Sequence, residues 1–136
     1  MTYLLDTTVV SEVRKRPPHP AVVSWFDSVR TADLYLSVLV VGEIRRGVER
    51  LARRDADRAA AYEKWLIDLL AAHGDRVVPV TAEIADVWGR TGTPDPLPEV
   101  DGLLAATAIV HSWTLVTRNT ADVARTGARL LNPFDS

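Results

Sequence analysis

Short apolar runs alternate along the chain with longer stretches whose apolar residues recur every three or four positions. Thr2 to Asp6 reads as a short buried strand, and Thr7 to Arg14 as the helix that follows it. The basic, proline-rich segment Arg14-Lys15-Arg16-Pro17-Pro18-His19-Pro20 must end that helix. Val22, Phe26 and Val29 give a second helix to about Arg30, and Leu34-Tyr35-Leu36-Ser37 a second strand whose serine is placed to cap the next helix. Val40, Val41, Ile44, Val48 and Leu51 stripe that helix to about Arg54. Tyr62, Trp65, Leu66, Leu69 and Leu70 stripe a long one ending at His73-Gly74.

Val77 to Val80 is a third strand, whose Pro79 argues for a sheet edge or a strand end. Ile84, Val87 and Trp88 mark a helix, and Gly89 to Pro98 a loop. Val100, Leu103, Leu104 and Ala108 mark another helix, in which Gly102, Ala105 and Ala106 would allow close approach to a sheet. Thr114 to Thr117 is the fourth strand, followed by a short helix to about Arg125. Ala128 to Leu131 is the last strand, stopped by Asn132-Pro133. Strands alternating with helices imply right-handed crossovers and a mainly parallel sheet with helices on both faces. The expected class is α/β, as one domain over residues 1–136.

Composition narrows the chemistry. Sixteen Lys and Arg against 18 Asp and Glu give a net charge of -2, so any affinity for polyanions has to be local. Without cysteine there is no disulfide, thiolate ligand or thiol nucleophile. No apolar run approaches the ~20 residues of a membrane span, and Asp6 and Glu12 interrupt any leader-like stretch, so a cytoplasmic protein is expected. His19, His73 and His111 have no ligand spacing. Ser11 and Ser37 lack a neighbouring histidine and acid, which argues against a serine hydrolase.

Three carboxylates occupy comparable places. Asp6 ends the first strand, Glu43 lies in the second turn after the second strand, and Asp101 opens the helix after the proline-rich loop. Thr117-Arg118-Asn119 ends the fourth strand, with Asp122 a turn further on. Parallel strands point their carboxyl ends one way, so these groups can converge in one crevice. Packed carboxylates raise one another's pKa, and a hard cation such as magnesium removes that penalty. Each acid also has an ordinary role: Asp6 as a helix cap, Glu43 paired with Arg46, Asp101 favoured by the helix dipole.

The string Leu4-Leu5-Asp6-Thr7-Thr8-Val9-Val10-Ser11-Glu12 resembles the opening of PIN-domain ribonucleases, especially VapC-type toxins of type II toxin–antitoxin systems and their FitB-like relatives. Leu36 to Gly47, Asp101 to Ala108 and Leu115 to Asn119 resemble that family's remaining motifs, in the same order, and the likeness extends to Asn132-Pro133-Phe134. The resemblance implies a PIN-like α/β/α sandwich and an endoribonuclease dependent on Mg2+ or Mn2+. It places Asp6, Glu43 and Asp101 as the family's acids and metal ligands, with Asn119 where a fourth acid often stands. Thr7, Thr117, Arg118 and Asp122 would support ligands, water or substrate, and whether Asp122 replaces the missing acid from the next turn is left open by the sequence. The resemblance further implies an RNA substrate, a homodimer and a cognate VapB-like antitoxin, with promoter DNA bound only through that antitoxin.

Two other readings compete. Asn119 in place of an acid suits a catalytically weak PIN-like binding module acting in an antitoxin and DNA complex. A phosphatase with Asp6 as nucleophile would want an acid where the chain has Thr8. The arginines around Glu43 suit either an ordinary solvated helix face or an RNA backbone, and Arg14-Lys15-Arg16 forms a second basic cluster. The tryptophans lie on or near apolar stripes and read as core or interface residues.

Overall fold

The first two strands hand the chain directly to a helix through a polar residue, Asp6 after the first and Ser37 at the end of the second. In the computed structural model, which describes residues 1–135, the elements run β1 (Tyr3–Leu5), α1 (Thr7–Glu12), α2 (Pro20–Ser28), β2 (Leu34–Ser37), α3 (Val38–Ala52), α4 (Ala56–His73), β3 (Val77–Val78), α5 (Ala82–Thr91), α6 (Glu99–His111), β4 (Thr114–Val116), α7 (Thr120–Val123) and β5 (Arg129–Leu131). Asp6 caps α1 and Ser37 caps α3, the serine hydroxyl accepting the Leu39 amide at 3.1 Å. Gly74 ends α4 with φ at 54°, a conformation in which a Cβ would be strained.

The five strands form one sheet in the order β3-β2-β1-β4-β5, and every pairing is parallel. Tyr3 aligns with Leu34 on one side and Thr114 on the other, which makes β1 the central strand. The chain first winds outward from β1 through β2 to β3, then returns to wind through β4 to β5. Right-handed crossovers in opposite directions put helices on both faces, giving the α/β/α sandwich that the sequence resemblance implies. The reversal lies between β1 and β4, where open α/β sheets bind ligands.

Several elements are shorter than the apolar pattern suggests. The first helix stops at Glu12, and a turn (Arg14 N–H to the Ser11 carbonyl, 3.2 Å) leads into the proline-rich loop. The third strand keeps only two residues before Pro79, and it is an edge strand as well.

The core is built on Leu4, Leu5, Leu36, Leu115 and Val116 of the sheet, covered by Val40 and Ile44 of α3 and by Leu104, Ala105 and Ala108 of α6. The alanines seat α6 within the core, but Gly102 serves a different neighbour than the sheet. A Cβ there would lie 3.0 Å from Cδ1 of Trp88, so the missing side chain lets the α5 indole lie against the first turn of α6. Among the described residues no helix is long and apolar enough to cross a membrane.

Ile44 is fully buried one residue beyond Glu43, whereas Ile67 on α4 is 57% exposed. Ile44→Ala is expected to cost about 2–5 kcal/mol in urea denaturation, and Ile67→Ala to stay within about 0.5 kcal/mol.

Candidate functional site

The site begins with the backbone of β1. Asp6 still hydrogen-bonds as a strand residue, its N–H donating to the Val116 carbonyl at 3.0 Å. Its own carbonyl already belongs to α1, accepting from the Val9 and Val10 amides at 3.1 and 3.0 Å. The side chain therefore leaves the sheet where the chain turns, and it is only 6% exposed. Its Oδ1 accepts the Thr7 amide at 2.7 Å and its Oδ2 accepts the Thr117 hydroxyl at 2.8 Å. The second bond crosses the β1–β4 reversal and fixes the carboxylate there.

The network runs on in both directions. The Thr7 hydroxyl donates to Oε1 of Glu43, tying the end of β1 to the second turn of α3. The Thr117 hydroxyl accepts the Asn119 amide at 3.1 Å, tying in the loop after β4. Asn119, Thr117, Asp6, Thr7 and Glu43 thus form one hydrogen-bonded line across three elements. Glu43 meets Thr7 rather than the arginine one turn along its helix.

Asp101 joins this line through its field. It is the third residue of α6 and half-buried. Its carboxyl titrates above the ordinary 3.8, first because burial disfavours the charge, then because Asp6, Glu43 and Asp122 bring like charges close. The four acids therefore lie within electrostatic reach of one another near the carboxyl ends of the strands. Among the described residues no three His, Cys, Asp or Glu side chains stand as a ready-made ligand set for an ion. Magnesium commonly takes only one or two carboxylates and fills its shell with water. Hard oxygen donors under mutual repulsion fit such a cation.

The remaining candidates stand at the rim. Asn119 is exposed at the start of α7, and its side chain makes no capping bond. Asp122 is exposed one turn on, its amide donating to the Asn119 carbonyl at 3.1 Å. The exposed Arg118 guanidinium stacks 4.1 Å above the Phe134 ring.

Two features escape the sequence pattern. Glu12 is buried, accepting the His19 amide at 2.9 Å and the Lys15 ammonium at 3.0 Å. Lys15 first, with His19, holds its carboxyl below the ordinary range, and the contact braces the proline-rich loop. Arg14 lies 3.8 Å above the Tyr62 ring, far away in sequence. Only the i,i+3 spacing of Glu12 and Lys15 could have signalled the first, and nothing local signals the second.

A family model described as PIN domain matches residues 3–128. The chain is 31% identical to Toxin FitB of Neisseria gonorrhoeae, over 96% of this chain and 97% of that one. It is also 31% identical to VapC ribonuclease Y4jK of Sinorhizobium fredii, over 97% of each. Among solved structures, FitAB bound to an IR36 DNA fragment is 29% identical and superposes with a TM-score of 0.90, covering 99% of this chain and 97% of that one.

Two substitutions test the geometry. Thr117→Val keeps the shape of a buried residue but removes the hydroxyl from Asp6, and is expected to lower stability by about 1.5–3 kcal/mol in denaturant melts. Asp101→Asn should act oppositely. Because the folded chain holds the Asp101 proton more tightly than the unfolded chain does, stability of wild type falls as pH rises from 3.8 through the raised value. The metal-free variant should therefore melt higher than wild type at neutral pH in chelator, and the gap should close as pH drops below the ordinary carboxylate range.

Proposed function

The chain belongs to the PIN domain family, and from that premise we propose that it is a VapC-type ribonuclease toxin, acting in the cytoplasm and restrained by a cognate antitoxin. Its reaction is the hydrolysis of RNA phosphodiester bonds with Mg2+ or Mn2+. The observation that carries this reading is the shared field of Asp6, Glu43, Asp101 and Asp122 at the sheet's reversal point. Relatives that match along nearly the whole chain carry the names FitB toxin and VapC ribonuclease.

Asp6 and Asp101 would hold the cation, with Glu43 completing the site or positioning water. When bound, a divalent ion lowers the pKa of a water ligand and neutralises charge developing on the phosphate. The chain's own residues do the rest. Thr117 and the Thr7 amide keep both Asp6 oxygens in place, so the carboxylate does not reorganise during the reaction. Thr7 fixes Glu43, leaving its other oxygen to orient the attacking water and receive its proton. The Asn119 amide can hydrogen-bond water or substrate without adding charge to the crowded crevice. In the overall reaction water oxygen bonds to phosphorus, one phosphorus–oxygen ester bond breaks, and the leaving oxygen gains a proton.

The FitAB complex with DNA is the precedent for partners. By that likeness an antitoxin partners the chain and DNA is reached through it, while a homodimer and an antitoxin lying over the acidic crevice are what the family resemblance implies. A non-cleaving binding module is the second reading, favoured by Asn119 and by the absence of a ready-made ligand set among the described residues.

Purified, antitoxin-free chain is expected to cut total RNA with Mg2+ or Mn2+ and to stop in chelator. Asp6→Asn and Asp101→Asn, shown folded by circular dichroism, should lose at least about 100-fold. If the folded variants and wild type behave alike, the binding-module reading takes its place.

A further inference from the structure

Five of the 16 Lys and Arg side chains, Lys15, Arg30, Arg45, Lys64 and Arg90, each meet a carboxylate. The arginines that follow Arg45 on α3 and just past its end do not. Arg46, Arg50, Arg53 and Arg54 are exposed, and among the described residues none forms a salt bridge. Glu49 stands on the same helix, but it faces Arg45 at 4.0 Å instead.

Their spacing relates them to the site. Arg46 and Arg50 lie three and seven residues beyond Glu43, so helical periodicity sets them in one row with it. The row follows the helix for about 10 Å from Glu43 to Arg50, and Arg53 and Arg54 extend it past the helix end. The opposite stripe, Val40, Ile44, Val48 and Leu51, is buried. Arg50 and Arg53 gain something from the carboxyl end of the helix dipole. Arg46 sits mid-helix and gains none of it. Arginines four apart on the helix, as 46 and 50 are, repel and weaken it. A polyanion along the row would remove that repulsion.

Another cation is brought to the same row from elsewhere. Arg14 rides on the Tyr62 ring, and that ring lies against Gly47, where a Cβ would be 3.2 Å from Tyr62 Cε2. Gly47 is four residues beyond Glu43, on the same side of α3. A line of positive charge therefore starts beside the acidic crevice in a chain of net charge -2.

We propose that Arg46, Arg50 and Arg53, with Arg14 beside them, form a track for the sugar–phosphate backbone of single-stranded RNA that leads the strand to the crevice at Glu43. This rests on the ribonuclease reading. Phosphate contacts of this kind set position and affinity, not sequence preference. The track supplies the attraction for phosphate that the acids, carrying the same sign of charge, do not.

The test separates binding from cleavage by using the Asp6→Asn chain, without antitoxin, and a fluorescent oligouridylate across a salt series. Each Arg→Gln at 46, 50 or 53 should reduce the slope of log affinity against log salt by about 0.7. The triple variant should bind at least about tenfold more weakly at low salt, and the triple Arg→Lys variant should recover the slope. Arg30→Gln and Arg90→Gln are controls that should leave it unchanged. In the cleaving chain the triple Gln variant should raise KM for long RNA and leave kcat intact. An unchanged salt slope in the folded triple Gln variant overturns the track. Loss of antitoxin binding with an unchanged slope overturns it too, and assigns the face to a protein partner. Absence of cleavage by wild type, with the slope effect present, would sink the nuclease reading and leave the track standing as an RNA-binding surface.

Discussion

The hydrogen bond from the Thr117 hydroxyl to Asp6 joins residues from two strands that only the folded sheet makes neighbours. It depends on Leu4, Leu5, Leu115 and Val116 packing beneath it, because those residues set the register that brings the two strand ends level. In return it supplies one of two donors that make a nearly dry carboxylate tolerable. A buried charge without such donors would take up a proton or pull the strand ends toward water. The same bond leads on to Asn119, and the Thr7 amide and hydroxyl lead on to Glu43. The geometry of the crevice is thus set by backbone and threonine groups rather than by the acids themselves.

Asp101 shows what that arrangement costs. Burial and three neighbouring carboxylates work against its charge, and no side chain on α6 relieves it. The fold holds α6 there nonetheless, through alanines that sit fully buried in the core and through Gly102, which accepts the Trp88 indole. Packing of the helix therefore opposes electrostatics at its first turn. Acids held against repulsion by a rigid scaffold suit the small, hard cation of the proposed reaction. The arginine row on α3 complements it with opposite charge beside the crevice.

Much of this was readable before any coordinates. Strand-length apolar runs ending in Asp6, Ser37 and Thr117 mark the junctions, and the alternation with helical stripes gives a parallel sheet. The order β3-β2-β1-β4-β5 was not legible, since nothing local says that the chain returns to the other side of β1. Asp6, Glu43 and Asp101 stand out by position in the sequence, and in the fold Asp6 and Glu43 lie near enough for their charges to push the Asp101 carboxyl up. The bond between Thr7 and Glu43 did not, because periodicity relates Glu43 to Arg46 on its own helix and is blind to residues 36 positions away. Gly102 was recognisable as a close-approach residue, but which neighbour approached it depended on α5. Arg14 looked like part of a solvated loop, and only the fold puts the Tyr62 ring beneath it.

We propose that Asp6 and Asp101 form one divalent-cation site at the β1–β4 reversal. Calorimetric titration of the antitoxin-free chain with Mn2+ tests this without requiring turnover. Wild type is expected to bind saturably, and each of folded Asp6→Asn and Asp101→Asn to lose that binding or weaken it at least about tenfold. Wild-type binding that survives unchanged in both variants would place the cation elsewhere and contradict it.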